Sequence, residues 1–278
     1  MASALATAVP VFFISDNTGV TAETVGNALM ANFPGIRFSR RTFPFVDSRT
    51  SAQQVLREAR AAGPSSVLLT TLRSAEVSAE LSAGPFPVVD LMQGPLADLE
   101  RVLGVGRTED VVPHHGVGDP QRYNARMRAV EYTLRHDDGQ SMSSLSGADL
   151  ILLAPSRCGK TPTALYLALR QGLQVANYPL TGDDYPSTEL PLEVAPYRAR
   201  CFGLTSTAQR LSQVRQERRP RSVYAGLSQC RQELRWAESL YRRHSIPSLN
   251  TASRSVEEIA AAIVQTMHDR LPETSFST

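Results

Sequence analysis

The sequence predicts an α/β protein built from two parallel sheets, on three observations. Short apolar runs such as Val11-Phe12-Phe13-Ile14 and Leu150-Ile151-Leu152-Leu153 show no polar alternation, as expected of strands covered on both faces. Each run is followed by a polar turn and a longer stretch with apolar residues at helical spacing, the order strand, crossover helix, strand. A segment rich in Gly, Pro, His and Asp at 104–122 divides two such series. The 278 residues suffice for two ordinary domains. Residues 1–105 are expected to form an N-terminal parallel α/β domain, 106–148 a linker and connecting helix, and 149–278 a second α/β domain.

In the first half, a strand at 11–14 runs into Ser15-Asp16-Asn17-Thr18-Gly19-Val20-Thr21 and a helix over 22–32, with Glu23 in its first turn. Hydroxyls and carboxylates at the end of a strand are where open α/β sheets place ligands, and equally what an ordinary helix cap needs. Strands follow at 36–39, 66–70 and 87–91, with helices over 51–62, 75–82 and 96–103. In Pro113-His114-His115-Gly116 the adjacent imidazoles diverge and lack a carboxylate or cysteine at ligand spacing, so a solvated linker is expected there. A helix over 123–135 should bury Met127, Val130 and Leu134, with Tyr123 at the start of the same face. It ends in His136-Asp137-Asp138-Gly139, either an ordinary stop or an acidic pair close enough to serve a bound phosphate's magnesium.

The second half opens on the most informative stretch. The apolar run at 150–153 leads into Ala154-Pro155-Ser156-Arg157-Cys158-Gly159-Lys160-Thr161, and a helix starts at about 161. Strand, loop ending Gly-Lys-Thr, helix is the phosphate-binding P-loop arrangement. In it, backbone N–H groups converge on phosphate oxygens, Gly159 permits close approach, Lys160 reaches the terminal phosphates and the Thr161 hydroxyl can ligate magnesium. Among 29 Lys plus Arg, Lys160 is the only lysine, at the one position where a compact ammonium differs most from a planar fork. The pattern wants glycine where this chain has Ala154, so the start of the loop is expected to differ in shape, since alanine disfavours positive φ by roughly 1 kcal/mol or more.

Further strands are expected at 173–180, leading to Thr181-Gly182-Asp183-Asp184, at 199–205 and at 246–250. Helices are expected from 207 and over 226–244, and one that starts with a Ser255–Glu258 capping box and runs to about 268. This β–loop–α–β–α–β–α–β–α order is that of a small P-loop-kinase-like core. The arginine cluster Arg215, Arg218, Arg219 and Arg221 is read as a lid, or a solvated face, over the phosphates. Asp183 and Asp184 are the best substitutes for a magnesium-orienting aspartate.

A formal net charge of +2 argues against a general nucleic-acid binder, and the longest apolar runs fall well short of the ~20 residues of a membrane span. Residues 1–8 lack the basic start of a signal peptide. Three widely spaced cysteines, Cys158, Cys201 and Cys230, fit a reducing cytoplasm. At the helix start beside Arg157 and Lys160, Cys158 reads as a small loop-filling residue before it reads as a redox switch.

Several blocks carry a resemblance. Ser156-Arg157-Cys158-Gly159-Lys160-Thr161-Pro162-Thr163 with Leu165-Tyr166-Leu167-Ala168 closely resembles the bifunctional regulators of phosphoenolpyruvate synthase and pyruvate phosphate dikinase. So do Ile14-Ser15-Asp16, Thr21-Ala22-Glu23, the Tyr132–Gly139 block, Ala176-Asn177-Tyr178-Pro179 and Cys201-Phe202-Gly203-Leu204-Thr205, so that similarity spans about 9–268 and leans to the synthase branch. The resemblance implies ADP-dependent phosphorylation of a threonine on the target enzyme, and reversal by inorganic phosphate with release of pyrophosphate. It implies phosphoenolpyruvate synthase as protein partner, leaves a homodimer open, and involves neither nucleic acid nor membrane. The cradle Ala154–Thr161 would take the ADP β-phosphate, with Lys160 on its oxygens and Arg157 stabilising the transition state. Asp183 or Asp138 would take the threonine proton, and Thr161 and Asp184 would hold magnesium. Phosphate would use the same cradle, or a second site near Asp16 and Thr18. A nucleotide-sensing module without covalent chemistry and a small-molecule kinase are the alternatives.

Overall fold

The computed structural model describes residues 8–106, 120–139, 142–181 and 187–270. His114, His115, Asp183 and Asp184 lie outside the described residues. The chain divides into two compact units, Met1–Gly118 and Asp119–Thr278. The helix expected as a connector belongs to the second of these.

The first unit alternates β1 (Val9–Ser15), α1 (Val20–Met30), β2 (Phe38–Phe43), α2 (Arg49–Ala62), β3 (Val67–Thr71), α3 (Ala75–Ser82), β4 (Val88–Asp90) and α4 (Gln93–Leu103). Its four strands are all parallel, in the order β2-β1-β3-β4. The apolar run in β1 is continuous because both faces are covered. Phe12 and Ile14 pack with Val55, Leu56, Val77 and Leu81, while Val11 and Phe13 pack with Ala22, Met30 and Leu69. Each fully buried side chain of this size contributes about 1.5–3 kcal/mol. Reciprocal Ser48 and Ser51 bonds cap α2.

The second unit runs α5 (Pro120–Arg135), β5 (Leu150–Pro155), α6 (Lys160–Gln171), β6 (Val175–Leu180), β7 (Cys201–Thr205), α7 (Ala208–Arg218), α8 (Leu227–Arg243), β8 (Ser248–Asn250) and α9 (Val256–Arg270). Its sheet is parallel, in the order β6-β5-β7-β8, so the P-loop strand β5 is internal. All six residues of β5 are buried. Leu150, Leu152 and Ala154 face Ala164, Leu167, Ile259 and Ile263, and Ile151 and Leu153 face Ala237, Leu240 and Tyr241. The Ser255–Glu258 capping box opens α9 as the spacing predicts. Among the described residues no helix is long and apolar enough to cross a membrane.

Two expectations about elements are corrected. The described part of the β6–β7 connection carries only a short 3-10 segment, Ala195–Arg200, and no α-helix. The face that α5 buries is Ala129, Thr133 and His136, while Leu134 and Tyr123 are exposed and Met127 and Val130 only half-buried. The buried residues are small or polar because α5 docks on the start of β6. There the Thr133 hydroxyl accepts from the Val175 amide (3.2 Å) and the Asn177 amide donates to the His136 carbonyl (3.0 Å).

Candidate phosphate-binding site

The site grows out of the C-terminal end of β5. Ala154 and Pro155 continue the strand, paired with Pro179 and Leu180 of β6. Ala154 is fully buried and is not among the residues with positive φ, so the alanine stands there without backbone strain. The left-handed conformation falls instead on Arg157 (φ 76°) and Gly159 (φ 89°). At Arg157 this costs of order 1–2 kcal/mol, which surrounding contacts must hold.

Those contacts come from beneath the loop. Arg215 of α7 is fully buried, donating from Nη2 (3.0 Å) and Nε (3.3 Å) to the Ser156 carbonyl and from Nη1 to the Tyr224 carbonyl (3.0 Å). Its charge is met by Glu233 of α8 at 2.6 Å, and its guanidinium lies 4.1 Å from the Tyr224 ring centroid. Tyr224 in turn donates its hydroxyl to Ser156 Oγ (2.8 Å). Burial lowers the Arg215 pKa but Glu233 outweighs it, so the guanidinium stays charged. Arg215 is therefore neither lid nor solvated face, whereas Arg218, Arg219 and Arg221 are exposed. On the other flank the Thr251 hydroxyl donates to the carbonyls of Cys158 (3.2 Å) and Thr205 (2.9 Å).

Lys160 is the first residue of α6 and is buried, its Nζ donating to the carbonyls of Ala154 (3.1 Å) and Pro155 (3.4 Å). Burial pulls its pKa below the ordinary 10.5. The Cys158, Asp138 and Asp137 side chains oppose that pull, and Arg215 adds to it. One residue on, Thr161 Oγ1 donates to Asp137 Oδ1 (2.8 Å). The Asn177 side-chain amide, from β6, donates to the same carboxylate oxygen and to Thr161 Oγ1 (3.1 Å). Among the described residues, Arg157 Nη2, Asn177 Oδ1 and, in the first turn of α6, Thr163 Oγ1 are buried without a hydrogen-bond partner. A buried polar atom left unpaired costs about 1–3 kcal/mol, so such atoms mark a place where a ligand would complete the bonding.

The candidate residues Ala154, Pro155, Ser156, Arg157, Cys158, Gly159, Lys160 and Thr161 thus run from the end of β5 through a tight turn into the start of α6. Asp138 is exposed, with φ 47°, and its neighbour Asp137 is the carboxylate that reaches Thr161. Cys158 is buried and its thiol is pushed up to about 12, chiefly by burial, so it is no thiolate and the redox reading of this residue is set aside. Asn177 is not among the expected site residues, and Arg215, expected in a lid or on a solvated face, lies under the loop instead. An asparagine within the otherwise apolar β6 was a signal for the first, and the Leu211–Arg215 helical spacing was one for the second. In the first unit, Asp16 accepts from Arg73 Nε (2.8 Å) and its amide (3.2 Å), and Glu23 accepts from the Thr42 hydroxyl. Among the described residues no three His, Cys, Asp or Glu are grouped to hold a metal.

A parallel sheet with a buried lysine at the first turn of the helix after an internal strand defines a P-loop-like α/β domain. The chain belongs to the kinase/pyrophosphorylase family, whose model matches residues 11–264, and so to the phosphotransferase-type enzymes. It is 44% identical over 259 residues to a protein of Neisseria meningitidis serogroup C, covering 92% of this chain and 95% of that protein. Proteins of Aromatoleum aromaticum (42% over 267 residues; 94% and 96% covered) and Laribacter hongkongensis (40% over 258 residues; 91% and 94%) are similar to it as well. All three bear the name "Putative phosphoenolpyruvate synthase regulatory protein".

Proposed function

We propose that this protein regulates phosphoenolpyruvate synthase in the cytoplasm by ADP-dependent phosphorylation of a target threonine and by phosphate-dependent, pyrophosphate-forming dephosphorylation. The observation that carries this is the buried Lys160 ammonium at the loop, one residue from the Thr161–Asp137–Asn177 cluster. Family membership and the relatives' names support the target.

In the forward direction the threonine oxygen attacks the β-phosphorus of ADP, the bond from that phosphorus to the α,β-bridging oxygen breaks, and AMP leaves. Lys160 turns from the Ala154 and Pro155 carbonyls to the β-phosphate oxygens, whose charge offsets its desolvation. Arg157, whose buried Nη2 has no hydrogen-bond partner among the described residues, meets charge spreading over the transferring group. The hydroxyl proton goes to a carboxylate. Asp138, near enough to Lys160 to raise its pKa, is assigned that role, since Asp137 is engaged by Thr161. In the return direction a phosphate oxygen attacks the phosphothreonine phosphorus, the P–Oγ bond breaks, pyrophosphate forms and the threonine oxygen regains a proton.

Magnesium fits the donor set, because Thr161 Oγ1 and Asp137 Oδ1 are hard oxygen ligands 2.8 Å apart and the oxygen of the adjoining Asn177 amide has no partner among the described residues. Thr161 and Asp137 would hold it, and when bound it would neutralise charge on the phosphates. The test is purified protein with the synthase and β-labelled ADP, then inorganic phosphate, following phosphothreonine and pyrophosphate together. Lys160→Ala should cut labelling by on the order of a hundredfold or more, the scale of losing one preorganised donor. Near-full labelling by that variant would overturn the assignment.

A further inference from the structure

We infer that Arg215 and Thr251 are positioning residues for phosphoryl transfer, which they serve by setting the direction of two peptide planes in the phosphate loop. The inference rests on the proposed role of that loop. A trans peptide is planar, with its C=O and N–H pointing in opposite directions. Arg215 draws the Ser156 carbonyl inward through Nη2 and Nε, so the N–H of the same peptide unit, carried by Arg157, points away from Arg215. Thr251 Oγ1 draws the Cys158 carbonyl, so the Gly159 N–H points away from Thr251. Neither amide has an acceptor among the described residues. Two carbonyls that would otherwise repel a phosphate are turned aside, and two donors are freed for it.

The parts around these two clamps are consistent with that use. Arg215 is held in place by Glu233, the Tyr224 carbonyl and the Tyr224 ring, and Tyr224 fixes the Ser156 side chain. Flipping the peptide that follows Ser156 would strip the buried guanidinium of two of its hydrogen bonds, which explains how Arg157 is kept at positive φ. Thr251 ties the second carbonyl to the end of β7, since both its amide and its hydroxyl donate to Thr205 O (2.9 Å each). The planar fork of arginine reaches the Ser156 carbonyl, the Tyr224 carbonyl and Glu233 at once, a geometry that a lysine ammonium does not reproduce.

The experiment measures ADP affinity by calorimetry and the amide resonances of Arg157 and Gly159 by NMR, on the full chain. In the wild type both amide protons should move downfield when ADP is added. Thr251→Val keeps the side-chain shape and should weaken ADP binding about tenfold, the scale of one lost hydrogen bond, with the Gly159 response lost and other resonances in place. Arg215→Met combined with Glu233→Gln, which avoids a stranded buried carboxylate, should abolish the Arg157 response and weaken binding further. If the double variant does not fold, Thr251→Val decides alone. A Gly159 amide that still moves downfield in Thr251→Val overturns the inference. So does a wild type in which neither amide responds while Lys160→Ala loses affinity. If Lys160→Ala binds ADP as the wild type does, the phosphate-loop reading itself falls.

Discussion

Lys160 combines two properties that set a pH dependence. The proposed nucleotide binding uses the ammonium form, and burial lowers its pKa from the ordinary 10.5 in the free protein. Below the lowered value the folded chain carries the full cost of the buried charge. Between it and 10.5 the unfolded chain holds the extra proton, so this residue's contribution to stability improves as pH rises through that window. Affinity runs the other way. Above the lowered pKa, binding must first protonate the amine, so ADP affinity should fall about tenfold per pH unit starting below 10.5, and Lys160→Arg should remove that step. Titration calorimetry across the alkaline range reads this directly. Ala154 makes the opposite kind of case, because a residue that looks like a motif defect is an unstrained strand residue. Ala154→Gly should cost about 0.5–1 kcal/mol in urea unfolding, from added chain entropy, and leave ADP affinity unchanged. Tighter binding by that variant would show that the alanine does constrain the loop.

At the scale of elements, the site depends on how helices meet the ends of strands. The C-terminus of α5 is pinned to β6 through Thr133 and His136, and this delivers Asp137 to Thr161 from a segment that precedes the P-loop strand in sequence. On the face of the sheet opposite α6 and α9, Tyr241 of α8 is fully buried, its hydroxyl donating to the carbonyls of Leu153 (2.7 Å) and Leu204 (3.3 Å). It thereby bridges β5 and β7 just before the phosphate loop begins. The ring lies so close to β7 that a Cβ on Gly203 would stand 2.6 Å from it, which is why that strand position holds glycine. Gly203→Ala should destabilise the protein by about 1–3 kcal/mol, the cost of overpacking a filled core, as measured by chemical denaturation. An unchanged unfolding midpoint would mean that Tyr241 can move away freely.

At the scale of the whole molecule, the chain forms two compact units with separate cores, and the phosphate loop belongs to the unit Asp119–Thr278. A ligand that binds only the folded state raises stability by RT ln(1 + [L]/Kd), about 2.7 kcal/mol at a hundredfold excess over Kd. Scanning calorimetry should therefore resolve two transitions, with ADP raising the one that Lys160→Ala no longer lets it raise. Phe12→Ala, in the other core, should lower the second transition by about 3–5 kcal/mol. A single transition, shifted by both changes alike, would show that the units unfold together.

The sequence by itself determined the two parallel sheets and most of the alternation of strands and helices, and it marked the turn after β5 as the candidate site, because these follow from local pattern: apolar runs, helical spacing and the Gly-Lys-Thr turn. Only the tertiary structure decided which polar residues attend that loop. Asp137 rather than Asp138 meets Thr161 because the docking of α5 on β6 selects one of two adjacent carboxylates that diverge. Arg215 looked like one of a solvated cluster, yet it lies buried under Ser156, since a charge can enter the core once Glu233 and two carbonyls satisfy it. Those partners stand 9, 18 and 59 residues away along the chain, beyond the three- and four-residue spacings of a helix that a local pattern records.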